Sequence, residues 1–106
     1  MGQWVDVARV EDFTPGTWRQ VEVDDAVVAI FNLDGDYYAI ENVCTHDYST
    51  LTGGEVEGEE IVCPRHGARF NIKTGEALTA PAYEPLVTFP VHVEDGVVQV
   101  MDDRWD

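Results

Sequence analysis

Two short clusters hold both cysteines and two of the three histidines of this 106-residue chain: Cys44-Thr45-His46 and Cys63-Pro64-Arg65-His66. Sixteen residues lie between them. On a loop, a thiolate and an imidazole at such close spacing can both turn toward one centre, and Pro64 assists the turn in the second cluster. Two loops that each offer one sulfur and one nitrogen make a four-ligand cage. In a chain with no visible secretion signal, paired Cys and His read as metal ligands ahead of a disulfide. Any one of the four alone would be an ordinary packing or surface residue. Together they are a candidate metal site.

Two metals compete for that cage. Structural zinc takes two sulfurs and two nitrogens in a tetrahedron, but its usual pairs are Cys with Cys and His with His, at wider spacing than a Cys-x-His pair gives. A two-iron, two-sulfide cluster instead takes both cysteines on one iron and both histidines on the other. Such a cluster is wide enough for mixed pairs on two facing loops to reach across it. The residue types and spacing alone leave both metals open.

The surrounding elements read as strands. "QVEVDD" and "AVVAIFNL" are β-branched or apolar runs, and "DGD" at 34–36 is a tight-turn signal ahead of "YYAIEN". "VTFPVHVE", Asp95-Gly96 and "VVQVM" repeat the arrangement near the C-terminus. Two hairpins are therefore expected, with the ligand stretch as a small insert between them. "ARFNI", the turn "KTGE" and the loop "LTAPAYEPL" follow that stretch. Only "RVEDF" suggests a helical turn, and Pro15-Gly16 ends it. Short strands without a sustained 3.6-residue period predict an all-β sandwich or barrel, in one domain over residues 1–106. His92 falls on a predicted strand outside the constellation and reads as an ordinary strand residue.

A net charge of −15 with a single lysine repels phosphate backbones and anionic lipid, so neither nucleic acid nor a membrane is an expected partner. It favours fast, salt-sensitive encounter with a basic protein surface. No apolar run approaches the roughly 20 residues of a membrane span, and "MGQWVDVARV" has no basic n-region or apolar h-region. A cytoplasmic location is expected, and a monomer.

"CTH", sixteen residues and "CPRHG", flanked by "YYAIENVCTHD", "ARFNIKTGEALTAPAYEPL" and "PVHVEDGVVQV", resemble the Rieske [2Fe-2S] family. The likeness spans about residues 4–101 and is greatest to the free-standing Rieske-type ferredoxins of bacterial multicomponent oxygenases. The resemblance implies a Rieske fold, an antiparallel β-sandwich of small sheets with a cluster-binding subdomain at about 42–84. It implies one [2Fe-2S] cluster, with Cys44 and Cys63 on the inner iron and His46 and His66 on the outer one. Pro81-Ala82 would match the loop that covers the cluster, and Asp47, Tyr48 and Arg65 would flank the histidines as candidate docking residues.

The implied function is one-electron transfer from a flavin-dependent ferredoxin reductase to a terminal oxygenase, with no catalytic residue in this chain. The alternatives are the same carrier serving nitrite reduction or iron–sulfur assembly, or a structural zinc module for protein interaction. Respiratory members of the family carry an extra cysteine in each ligand loop, where this chain has Ser49 and Arg65. They also carry Ser and Tyr hydroxyls that hydrogen-bond the cluster sulfurs, where this chain has Ala68 and Phe70. Fewer donors leave added negative charge less stabilised, so a low potential is expected within the Rieske span.

Overall fold

The computed structural model describes residues 3–43, 51–52, 54–64, 67–80 and 84–103. Their strands are β1 (Val5–Arg9), β2 (Trp18–Val23), β3 (Ala26–Leu33), β4 (Asp36–Glu41), β5 (Val56–Glu57), β6 (Glu60–Val62), β7 (Arg69–Asn71), β8 (Thr88–Phe89), β9 (Val91–Glu94) and β10 (Val97–Val100). Their pairings are antiparallel, in three sheets ordered β1-β10-β9, β2-β3-β4-β8 and β5-β6-β7. The all-β expectation holds, and the "RVEDF" turn is a one-turn 3₁₀ helix at Val10–Asp12.

Strand β3 explains the architecture. Its sequence is apolar almost throughout because both of its faces are buried. Side chains alternate across a strand, so Val28 and Ile30 enter one core with Phe13, Val98 and Val100, while Ala29 and Phe31 enter the other with Leu51, Phe70 and Leu86. Strand β4 divides in the same way, with Ala39 in the first core and Ile40 in the second. The first core joins the two larger sheets into a sandwich. The second mounts the small sheet, β5-β6-β7, on the back of that sandwich.

Both expected hairpins form. Asp34-Gly35 joins β3 to β4, and Asp95-Gly96 joins β9 to β10; all four residues have positive φ, as a two-residue turn matched to strand twist requires. Two details differ from the sequence reading. The run "QVEVDD" ends in a third hairpin turn, Asp24-Asp25, with φ of 47° and 71° and no glycine. The run "VTFPVHVE" divides at Pro90: β8 pairs with β4 in one sheet, and β9 pairs with β10 in the other. Proline has no N–H to give a ladder, which makes it a suitable place for the chain to change sheets.

The buried amide of Asn32 ties the entry to this frame. Its Nδ2 donates to the Phe13 carbonyl at 2.7 Å, and its Oδ1 accepts from Gly35 N–H at 2.7 Å. The Val10–Asp12 segment and the β3–β4 turn are held by one side chain.

Candidate metal centre

Cys63 and Pro64, which open the second ligand cluster, follow β6 at the tip of the β6–β7 hairpin. Cys63 N–H donates to the Ala68 carbonyl at 2.7 Å, and Gly67 N–H donates to the Cys63 carbonyl at 3.0 Å. These two bonds close the loop that contains Pro64, Arg65 and His66 in sequence. Gly67 has φ +73°, a left-handed conformation that glycine adopts without steric cost. The hairpin is braced beyond β7, where Leu78 N–H donates to the Arg69 carbonyl at 2.8 Å and Phe70 bridges to Ala77.

Cys63 carries a free thiol at 1% exposure, in a cluster with Leu51, Ile61, Ala68, Phe70 and Ile72. A cysteine sulfur enclosed by apolar side chains is a soft donor of the kind that iron–sulfur groups take. The donor chemistry of this hairpin therefore fits an iron–sulfur group. Cys44, His46 and His66 lie outside the described residues, as do Asp47, Tyr48, Ser49, Arg65, Pro81 and Ala82. Of the four expected ligands, the structure positions Cys63. Ala68 and Phe70 are fully buried in the same cluster as its thiol, in keeping with their reading as residues beside the centre.

The first ligand cluster follows β4. The Asn42 N–H donates to the Val27 carbonyl at 2.8 Å, extending the β3–β4 pairing by one step, and Val43 N–H folds back to the Glu41 carbonyl at 2.9 Å. The described chain resumes at Leu51, fully buried against the Cys63 hairpin. Gly54 lies close against the Val62 backbone. A Cβ there would lie 1.9 Å from the Val62 carbonyl oxygen, so only glycine fits. Glycine is common in loops, so the sequence did not single out Gly54 for this contact, and Asn42 gave no signal beyond its position two residues before Cys44.

The flank of the small sheet is ionic. Arg69 lies 3.3 Å from Glu57 and 3.4 Å from Glu60, and both carboxylates raise its pKa, with Glu57 first. Glu59 accepts from Asn71 at 3.2 Å and pairs with Lys73 at 3.3 Å, and these contacts, Asn71 first, hold its carboxyl below its ordinary value. These groups are exposed or half-exposed, so their pairing contributes little to stability. His92 lies on β9, away from the hairpin tip. Its Nε2 is 2.7 Å from Gln99 Oε1 and its ring stacks on Trp4 at 3.6 Å, which agrees with its reading as a strand residue.

A double-sided β3, a small sheet mounted behind it and a buried cysteine at its hairpin tip define a β-sandwich with a candidate metal-binding hairpin. The Rieske [2Fe-2S] domain family matches residues 3–90, and the chain belongs to that family. A ferredoxin component of naphthalene 1,2-dioxygenase/salicylate 5-hydroxylase systems from Ralstonia sp. is 37% identical over 92 residues, covering 87% of this chain and 88% of that protein. The Sphingomonas yanoikuyae B1 ferredoxin superposes with a TM-score of 0.84 at 34% identity, over 94% of this chain and 99% of that one. A chain from the complex of reduced oxygenase and oxidized ferredoxin in carbazole 1,9a-dioxygenase superposes with a TM-score of 0.86 at 39% identity, over 92% of this chain and 91% of that one. This chain is accordingly an electron carrier with one Rieske-type cluster and is not itself a catalyst.

Proposed function

We propose that this chain is a single-domain ferredoxin in which Cys44, His46, Cys63 and His66 hold the [2Fe-2S] cluster, and that it carries electrons one at a time to the terminal oxygenase of an aromatic-ring dioxygenase system. Its electron donor is a flavin-dependent ferredoxin reductase. The observation that carries this reading is the buried Cys63 thiol at the tip of a closed hairpin, in a chain whose near-full-length relatives are named as ferredoxin components. When bound, the cluster would supply reversible one-electron chemistry.

The protein residues have separate tasks. Cys44 and Cys63 would hold the inner iron and bring two negative charges, which together with two sulfides balance two ferric ions, and His46 and His66 would hold the outer iron without adding charge. The Ala68 and Phe70 side chains exclude water from the Cys63 side of the centre and donate no hydrogen bond to it. The acidic surface steers the carrier toward basic patches on its partners. Among the described residues no helix is long and apolar enough to cross a membrane, which is compatible with a cytoplasmic carrier.

The test is reconstitution with a flavin-dependent ferredoxin reductase and the terminal oxygenase of an aromatic-ring dioxygenase system. Reduced protein mixed with oxidised oxygenase is expected to recover its oxidised absorbance, and substrate turnover is expected to require all three components. Turnover at the full rate without this chain would overturn the assignment.

A further inference from the structure

The amide of Asn42 is nearly fully buried, with 3% exposure, and four hydrogen bonds converge on it. Its Oδ1 accepts from Leu51 N–H at 2.9 Å and from Thr52 N–H at 3.1 Å. Its Nδ2 donates to Gln20 Oε1 at 2.8 Å and to Thr52 Oγ1 at 2.9 Å. A carboxamide has two donor hydrogens and two acceptor lone pairs, so its capacity is used in full. A buried polar group this well satisfied specifies one geometry, because every alternative leaves a desolvated atom without a partner.

What the four bonds join gives the clasp its meaning. Gln20 belongs to β2 and Asn42 follows β4, so one pair of partners is the sandwich itself. Leu51 and Thr52 stand where the chain comes back after residues 43–50, the segment that contains Cys44 and His46. Both ends of that segment are fastened to the same side chain. The connection then continues to the second ligand cluster. The Leu51 carbonyl accepts from Gly54 N–H at 3.1 Å, Gly54 lies against the Val62 carbonyl, and Val62 precedes Cys63. The Leu51 side chain shares a buried cluster with Cys63.

We propose that Asn42 is a positioning residue for the cluster: it fixes where the Cys44–His46 segment leaves and rejoins the sandwich, and thereby the separation of that ligand pair from the Cys63–His66 pair. The inference rests on the assignment of those four residues as ligands. It concerns how tightly the cage is held, beyond which residues form it.

The comparison that tests it is Asn42→Ala against Asn32→Ala in the cluster-loaded protein. Asn32 is as buried and also joins two segments through its amide, yet its partners, Phe13 and Gly35, lie outside the ligand segments. Both variants are expected to lower Tm. Only Asn42→Ala is expected to speed chelator-driven bleaching of the visible absorbance, by about tenfold, the low end of what removing an outer support costs a metal site. It is also expected to broaden the EPR signal of the reduced protein. Should Asn42→Ala not accumulate as folded protein, the milder pair Thr52→Val and Gln20→Met removes the partners of Nδ2 and is expected to shift bleaching in the same direction. Equal bleaching rates and superimposable EPR lines for the Asn42 and Asn32 variants, or unchanged rates in the milder pair, would overturn the proposal. A wild-type protein with no iron–sulfur spectrum would instead overturn the ligand assignment beneath it.

Discussion

Phe70 carries the sharpest chemical expectation at the scale of one residue. It is fully buried with Ala68 in the cluster that holds the Cys63 thiol. In respiratory members of the family the matching positions present hydroxyls to the cluster sulfurs; here Ala68 and Phe70 carry none. A hydroxyl restored at either position would donate toward sulfur as negative charge arrives, and would therefore stabilise the reduced form. Phe70→Tyr and Ala68→Ser are each predicted to raise the midpoint potential by roughly 40 mV, the one-electron equivalent of a net hydrogen bond of about 1 kcal/mol. Potentiometric titration checks this, and an unchanged or lowered potential in both variants would contradict it. The metal-ligating residue types were legible in the sequence because Cys and His are scarce here and were placed in two clusters. Asn42 was not legible, since a single asparagine before a loop carries no pattern; its role appears only when Gln20, Leu51 and Thr52 are brought around it.

Among the elements, the small sheet depends on a contact that no side chain can replace. Gly54→Ala would set a methyl group against the Val62 backbone, and neither partner is the flexible end of a side chain. The predicted cost is about 2 kcal/mol, with a lower ratio of visible to protein absorbance in the purified variant; a denaturant midpoint equal to wild type would contradict it. The Asp24-Asp25 turn offers the opposite change. Asp25 has φ 71° at the place where such turns favour glycine, and a second carboxylate stands beside it. Asp25→Gly is predicted to stabilise the fold by about 0.5 kcal/mol, or roughly 2–4 °C in Tm, read by thermal unfolding, whereas a lowered Tm would refute the strain. The same elements show what sequence could and could not reveal. Aspartate–glycine pairs marked two turns, but Asp24-Asp25 had no glycine to mark it. Pairing of β1 with β10 joins opposite ends of the chain, and nothing local encodes it. The division of "VTFPVHVE" was signalled by Pro90, although only the two cores show that the residues on either side belong to different sheets. β3 read as an apolar run; that it serves two cores follows from which side chains meet it.

Across the whole molecule, the ruling property is charge. At −15 the protein presents a broad negative field, which extends into solution by about 10 Å at 0.1 M salt and only about 3 Å at 1 M. If that field steers docking, the second-order rate of electron transfer to the oxygenase should fall by on the order of tenfold between those salt concentrations, while the unimolecular step within the complex changes little. Stopped-flow mixing separates the two. A rate independent of salt would remove steering from the account and leave shape complementarity as the basis of partner choice.

The claim on which the rest depends is that the two Cys–His pairs hold iron and sulfide. Metal and acid-labile sulfide analysis of anaerobically purified protein, coupled to EPR before and after dithionite, tests it most directly. The account predicts about two irons and two sulfides per chain, and an EPR signal absent from the oxidised protein, where the two ferric spins cancel, and present once a single electron is added. Stoichiometric zinc, with neither iron nor labile sulfide and no signal after reduction, would contradict it.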